Sequence, residues 1–184
     1  MIAFIGLGNV GDQYKETKHN AGFWVIDEFA RRKKLSFSAA RTGYVFTRHK
    51  TKQVLFAKPT TGMNRSGLAA KAILRKWNLL ISDICVVIDD VDLPLGALRI
   101  RPKGGDGCHR GLENIIYHLG SSSFPRIRLG IAGSDYERPS EKYVMKPFKS
   151  QMSLDAKIMI DRAADAMQNI ITRGLEKTMN QFNT

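Results

Sequence analysis

The chain has 184 residues, and 29 lysines and arginines against 17 aspartates and glutamates give it a formal net charge of +12. This length predicts a single domain over residues 1–184, and a hydrophobic content of 43% is enough to build its core, which excludes disorder as the main state. Because the positive excess is spread along the chain, it favours an anionic partner, with nucleic acid ahead of a membrane surface.

The sequence also disfavours a membrane span, secretion and a disulfide framework. The apolar run from Ile84 to Ile88 is far shorter than the roughly 20 residues that cross a bilayer, so we expect no membrane span. The start, Met1 to Leu7, lacks a basic leader and enters a glycine turn, so we interpret it as a first strand and expect a cytoplasmic protein. Two widely spaced cysteines, Cys85 and Cys108, favour neither a disulfide framework nor a zinc site.

Strand and helix patterns alternate along the chain, which is typical of an α/β fold. The predicted strands are Ile2 to Leu7, Tyr44 to Arg48, Val54 to Ala57, Ile84 to Ile88, Leu98 to Ile100 and Ile127 to Ile131. Helical spacing of apolar residues occurs within Phe23 to Ala30, Leu68 to Trp77, Leu112 to Leu119 and Ile160 to Ile171. The strand from Ile84 to Ile88 is apolar at every position, which predicts a central place in the sheet.

The first strand leads into Gly6 to Gly11, which matches the G-x-G-x-x-G pattern of dinucleotide-binding folds. The context argues against a nucleotide site, because the polar stretch from Asp12 to Lys18 does not form the helix that this fingerprint must open. The acids Asp27 and Glu28 lie inside the next helical pattern rather than after a second strand. We interpret Asn9 to Asn20 instead as a polar loop at a strand's carboxyl end, where ligands bind in open α/β sheets.

His19 in this loop and the acids after the buried strand are candidates for acid–base chemistry. Asp89 and Asp90 follow Ile88 directly, so at least one carboxylate emerges beside the loop if the two strands are parallel. A carboxylate there would hold the imidazole in one tautomer and stabilise the imidazolium that forms when it accepts a proton. The alternative is that these acids only shape a turn.

Asn64 lies in a third loop, Lys58 to Gly67, between a predicted strand and a helix. Its carboxamide could donate to a developing oxyanion, whereas the plainer interpretation is that Asn64 or Ser66 caps the helix.

Cationic side chains alternate along two predicted strands: Arg99, Arg101 and Lys103 on one, and Arg126 and Arg128 on the next. The glycine-rich loop from Gly104 to Gly111 can bring backbone N–H groups close to a ligand. A phosphate site and a solvated cationic edge strand both remain open as interpretations.

Other catalytic schemes find less support. The chain has no G-x-S-x-G elbow and no paired-histidine metal spacing among His19, His49, His109 and His118. The thiol of Cys108 is a weaker nucleophile candidate. We therefore expect no metal and no cofactor.

In order and spacing, four blocks of these motifs resemble bacterial-type peptidyl-tRNA hydrolase over nearly the whole chain. The blocks are Gly6-Leu7-Gly8-Asn9 with Tyr14 and His19-Asn20-Ala21-Gly22, Pro59-Thr60-Thr61 with Met63-Asn64 and Ser66-Gly67, Asp89 with Asp92-Leu93-Pro94 and Gly96, and His109 with Gly111-Leu112. The resemblance implies a monomeric, single-domain three-layer α/β/α sandwich with a mixed, largely parallel central sheet. Its implied partner is peptidyl-tRNA, bound at the acceptor end and the 3′ CCA, with no cofactor, membrane or obligate protein partner.

The implied reaction is hydrolysis of the ester between a peptide, or an N-blocked amino acid, and the 3′ ribose of tRNA. The resemblance makes His19 the general base, Asp89 its orienting partner, and Asn9 and Asn64 the amides that position the peptidyl group and stabilise the oxyanion. The implied substrate-binding residues are Tyr14, Asn20, Gly62, Met63, Asn64, His109 and Arg110, and the implied tRNA-phosphate residues are Arg99, Arg101, Lys103 and Arg128. The alternative is an RNA-binding homologue without catalysis, against which the presence of all four catalytic side chains argues.

Three positions depart from the family's pattern. Val10 stands where proline is usual, Gly62 where an aromatic residue is usual, and Arg110 where asparagine usually follows His109. Gly62 removes a side chain from the expected groove, and Arg110 exchanges a neutral amide for a fixed cation. Substrate contacts at these two positions therefore stay open, with a phosphate as one partner for Arg110.

Overall fold

The computed structural model describes residues 1–183 as a seven-stranded sheet between two layers of helices. The strands are β1 (Ile2–Gly6), β2 (Ser38–Ala39), β3 (Tyr44–His49), β4 (Val54–Pro59), β5 (Ile84–Pro94), β6 (Leu98–Arg101) and β7 (Arg126–Ala132). The helices are α1 (Ala21–Arg32), α2 (Ser66–Trp77), α3 (Arg110–Leu119), α4 (Ser140–Val144), α5 (Ser153–Arg173) and α6 (Leu175–Phe182). Short 3₁₀ turns at Lys18–Asn20 and Met63–Arg65 lead into α1 and α2.

The sheet is mixed, with strand order β2-β3-β4-β1-β5-β7-β6. The four central strands β4, β1, β5 and β7 are parallel, while β2, β3 and β6 pair antiparallel at the edges. The predicted mixed sheet and the central place of β5 are confirmed. Because β1 and β5 are parallel neighbours, the loops that follow them open at one edge of the sheet.

Each face of the sheet has its own core, which confirms the three layers. On one face, Phe4 and Val87 pack with residues of α1 and α5, such as Val25 and Met159. On the other, Ile5 packs against α2 and α3. The hydrophobic residues alternate between the two faces along each central strand, as a sheet covered on both sides requires.

The structure extends and adds to the predicted elements. β5 continues beyond its predicted end at Ile88 as far as Pro94, because its pairing with β7 resumes after an irregularity between Asp90 and Pro94. The two-residue β2 and the helices α4 and α6 were not predicted. Within residues 1–183, no helix combines the length and the apolar character that a membrane crossing would demand.

Candidate active site

The loop between β1 and α1 is closed by two hydrogen bonds between its ends. The N–H of Asn9 donates to Oδ1 of Asn20 (2.7 Å), and Nδ2 of Asn20 donates to the carbonyl of Asn9 (2.9 Å). Both polar atoms of the Asn20 side chain are thus engaged with backbone, and the side chain is buried. Asn20, predicted to bind substrate, lines a cavity beside this loop, and its two hydrogen bonds fix His19 relative to Asn9.

Helix α1 begins very close to the sheet at Gly22. A Cβ on this residue would lie 2.6 Å from the backbone nitrogen of Leu7 and would collide with the carbonyl of Val87. Only glycine permits this approach. The close contact brings His19, three residues earlier, to the end of β5.

Lys18 anchors the same turn from its other side. Its ammonium donates to the carbonyl of Pro147 (2.8 Å) and lies 4.1 Å from the centre of the Tyr143 ring. Burial lowers the pKa of Lys18 below its ordinary value. Sequence reasoning missed this contact, because nothing in the local pattern links residue 18 to residues 143–147.

His19 and Asp89, the predicted pair, are in contact. Nδ1 of His19 lies 2.9 Å and 3.0 Å from the two carboxylate oxygens of Asp89, and both residues are buried. Burial alone would lower the pKa of His19, but the charge of Asp89 and the hydrogen bond to it raise that pKa above its ordinary value. Nδ1 therefore carries the proton that Asp89 accepts, and Nε2 is left with a free lone pair.

His109 binds the same carboxylate from the other side. Its Nδ1 accepts from the N–H of Leu112 (3.2 Å), which caps the start of α3, so the ring proton is on Nε2. Nε2 then donates to Oδ1 of Asp89 (3.1 Å). Both nitrogens of His109, a predicted substrate residue, are thus bonded within the protein. In the sequence, the signal for this capping role was the position of His109 just before the start of a helix.

Asp89 is held ionised by these two imidazoles. Burial opposes its ionisation, but the charges and hydrogen bonds of His19 and His109 together keep its pKa well below the usual range. One ligand-type atom from each of the three residues lies within 4.8 Å of the others. Both oxygens of the carboxylate are engaged by these hydrogen bonds.

Asn9 joins the loop after β1 to the loop after β4. Its Oδ1 accepts from the N–H of Met63 (2.8 Å), which orients the amide so that Nδ2 is its remaining donor. Gly62, at φ 82°, turns the chain into the 3₁₀ segment that carries the exposed Asn64. A Cβ at Gly62 would have no atom within 4 Å, so the position faces open space.

Three cavities surround these loops. One of about 190 Å³ is lined by His19, Asp89, His109 and Arg110, among others. A second of about 490 Å³ is lined by Asn64, Arg110, Glu113, Asn114 and Tyr117. A third of about 540 Å³ is lined by Asn9, Val10, Phe23, Trp24 and Pro59, among others. Tyr14 is half-buried in the loop, and its carbonyl accepts from Thr17.

The predicted cationic residues lie on one face of β6 and β7, where Arg99 pairs with Arg128 and Arg101 with Arg126. Arg101, Lys103, Arg126 and Arg128 line a cavity of about 310 Å³. The Nε of Arg128 donates to Asp90, so its charge is partly compensated.

Arg126 lies on the same face of β7 as Arg128 but does not project into solvent. Its side chain is only 2% exposed and donates to the carbonyls of Gly104, Gly105, Ser122 and Phe124. The alternation of side chains along β7 predicts the correct face of the strand for Arg126. The glycine-rich loop covers this position, and its carbonyls accept hydrogen bonds from the guanidinium.

Comparison with known proteins agrees with this geometry. The family model for peptidyl-tRNA hydrolase matches residues 3–184. The chain is 38% identical over 185 residues to the peptidyl-tRNA hydrolase of Geobacillus thermodenitrificans, covering 100% of both chains, and 40% identical over 186 residues to that of Thermodesulfovibrio yellowstonii, covering 100% of this chain and 99% of the relative. The crystal structure of peptidyl-tRNA hydrolase from Acinetobacter baumannii is similar with a TM-score of 0.92 at 27% identity, covering 100% of this chain and 95% of that one. The resemblance noted in the sequence is confirmed, and the chain belongs to the peptidyl-tRNA hydrolase family.

Proposed function

We propose that this chain hydrolyses the ester between the carbonyl carbon of a peptide, or of an N-blocked amino acid, and the 3′ ribose of tRNA. The observation that carries the proposal is the buried His19–Asp89 pair, with the amide of Asn9 nearby at the same sheet edge. Because Nδ1 of His19 is bonded to Asp89 and the residue lines a cavity, Nε2 is the nitrogen left to take up a proton. That is the arrangement a general base requires.

In the proposed mechanism, Nε2 of His19 takes a proton from water while the water oxygen attacks the ester carbonyl. Nδ2 of Asn9 and the amide of Asn64 donate to the oxyanion of the tetrahedral intermediate. When the intermediate collapses, the ribose oxygen leaves and takes the proton from the imidazolium of His19. The products are the free acid of the peptide and a tRNA with an intact 3′ hydroxyl.

Asp89 stabilises the imidazolium through the whole cycle, and His109 holds Asp89 in place. An ester is reactive enough for a positioned water and a base, so the scheme requires neither a serine nucleophile nor a metal.

Binding of the tRNA body is assigned to Arg99, Arg101, Lys103 and Arg128. Arg101 and Lys103 are exposed and line the cavity of about 310 Å³, and Asp106 and Gly107 line both that cavity and the catalytic one. The net charge of +12 supports phosphate contacts here. We also propose that the chain acts as one domain and as a monomer in the cytoplasm, with no obligate protein partner.

The test is the release of N-acetylamino acid from N-acetylaminoacyl-tRNA by the purified protein. Wild type is expected to release it, and His19→Ala to lower turnover by roughly 10² to 10⁴ at nearly unchanged tRNA affinity. His49→Ala removes a histidine outside the described cluster and is expected to keep full activity. A protein that binds the tRNA and leaves the ester intact would instead be the inactive RNA-binding homologue.

A further inference from the structure

One segment of the chain lies against the loop that carries His19. Residues 133–148, here called the strap, follow β7 and contain α4, and a backbone bridge joins Pro147 of the strap to Thr17 of the loop. The strap contributes five side chains to the lining of the cavity that holds His19 and Asp89: Tyr136, Arg138, Ser140, Glu141 and Val144. The strap therefore forms one wall of the catalytic cavity.

Lys18 connects the strap to the catalytic loop through both its backbone and its side chain. Its N–H donates to the carbonyl of Lys146 (3.1 Å), and its ammonium donates to the carbonyl of Pro147 (2.8 Å). The ammonium also lies 4.1 Å from the centre of the Tyr143 ring and 5.2 Å from the centre of the Phe148 ring. These contacts fasten the carboxyl half of the strap to the loop.

The ammonium of Lys18 is buried at an energetic cost. The residue is only 1% exposed, and burial lowers its pKa, an effect that the charge of Asp135 only partly opposes. A carbonyl and two aromatic ring faces replace water around the cation. An apolar side chain could fill the same space without that cost, so packing alone does not account for a lysine at this position.

Lys18, His19 and Asn20 form one 3₁₀ turn, and each of them binds a different part of the protein. Lys18 binds the strap, His19 binds Asp89 at β5, and Asn20 binds the backbone of Asn9. Because the three residues share one short turn, a shift of the turn at Lys18 also moves the imidazole of His19. The backbone that carries the proposed base is thus fixed on both sides.

We propose that Lys18 is a positioning residue of the reaction: its cation holds the strap against the catalytic loop, which keeps His19 aligned with Asp89 and keeps the wall of the cavity in place. The inference rests on the proposed function, because it takes His19 to be the base. Lys18 does not itself contact substrate in this arrangement, since its side chain is buried against the strap. Loss of the cation therefore slows the chemical step and leaves tRNA binding intact.

The experiment measures kcat and KM for N-acetylaminoacyl-tRNA. Lys18→Met retains a long side chain without its donors and is expected to lower kcat roughly ten- to a hundredfold at nearly unchanged KM, since a misplacement of about 1 Å costs up to about 10² in rate. Lys18→Arg keeps a cation with N–H donors and is expected to recover most of the lost kcat. Lys142→Met removes an exposed cation from the same strap and is expected to behave as wild type.

Hydrogen exchange of the backbone amides reports on the strap independently of activity. Amides of residues 143–148 are expected to exchange faster in Lys18→Met than in wild type, while those of β5 keep their wild-type rates. Phe148→Leu removes one of the two rings from the strap side and is expected to give both effects to a smaller extent. If Lys18→Met does not fold, a Phe148→Leu variant with wild-type kcat and wild-type exchange overturns the proposal.

The outcomes separate the positioning role from the proposed function. If wild type releases no N-acetylamino acid, the proposed function fails. If wild type is active and Lys18→Met keeps its kcat, or loses it without faster exchange in the strap, the positioning role is overturned while the function stands. A rise in KM at constant kcat, or a Lys18→Arg variant no faster than Lys18→Met, also overturns it, because Lys18 would then act on substrate binding or through packing alone.

Discussion

At the scale of single residues, the site depends on how one buried carboxylate is shared. Asp89 accepts one N–H from His19 and one from His109, and each histidine is fixed in its tautomer by a different hydrogen-bond pattern. His109 accepts from backbone through Nδ1 and donates to Asp89 through Nε2, so it holds the carboxylate in place. The same carboxylate accepts from Nδ1 of His19, where its charge stabilises the imidazolium that forms when this histidine takes up a proton.

Replacement of Asp89 tests this division of roles through the pH profile of kcat/KM. Because Asp89 raises the pKa of His19 above 6.5, we expect wild-type kcat/KM to fall as the pH drops through that raised value and the base becomes protonated. In Asp89→Asn, burial is left as the main influence, so the inflection moves to lower pH, and the plateau falls by roughly 10² or more because the imidazolium is no longer stabilised.

Asp90→Asn is the matched control for this experiment. Asp90 is the next residue along β5 and pairs with Arg128 rather than with an imidazole. Its variant is expected to keep the inflection of wild type. An Asp89→Asn profile with an unmoved inflection would show that His19 does not titrate in the profile, and the assignment of the base would be wrong.

At the scale of elements, strand direction decides which contacts between side chains could be predicted from the sequence. The contact between His19 and Asp89 was predictable because β1 and β5 are adjacent parallel strands and both loops leave from their carboxyl ends. The bond between Asn9 and Met63 follows from the same rule applied to β1 and β4.

The contacts of His109 and Arg126 follow from no such rule. His109 reaches Asp89 from a loop after β6, an antiparallel edge strand whose place beside β7 is not set by its own hydrophobic pattern. The burial of Arg126 depends on the path of that loop, where Gly104 and Gly105 turn their carbonyls towards it. Loop paths depend on tertiary packing, so the sequence pattern predicts the face of a strand but not what covers it.

The start of α3 couples a helix cap to the catalytic carboxylate, and two variants of His109 separate the two effects. His109→Asn supplies another good N-cap but is too short to reach Asp89, whereas His109→Ala removes both interactions. We expect His109→Ala to lose about 1 kcal/mol more unfolding free energy than His109→Asn in denaturant titration, because only the alanine variant also loses the helix cap. Both variants are expected to lower kcat roughly tenfold, the effect of one lost hydrogen bond to a charged group, with KM unchanged. A rise in KM at constant kcat would show that His109 contacts substrate, as the sequence prediction had it.

At the scale of the whole molecule, the cations behind the net charge of +12 differ in whether acidic side chains compensate them. Helix α1 compensates part of it internally, since Arg32 pairs with Glu28, Asp161 and Asp165. The exposed cations Arg101 and Lys103 have no such acids in contact among residues 1–183 and border the cavity beside the catalytic loop. Position rather than total charge should therefore determine how tRNA binds.

Two double variants with the same change in net charge test this point. Arg101→Gln with Lys103→Gln and Lys33→Gln with Arg173→Gln each remove two exposed positive charges, the first pair beside the cavity and the second at the carboxyl ends of α1 and α5. We expect the first to reduce the slope of log tRNA affinity against log salt by about 1.4 to 1.8, since each phosphate contact contributes about 0.7 to 0.9. The second is expected to leave the slope near that of wild type, because charges about a Debye length or more from the bound phosphates are screened. Equal reductions in both would mean that tRNA responds to the overall charge of the protein, and the assigned phosphate residues would lose their role.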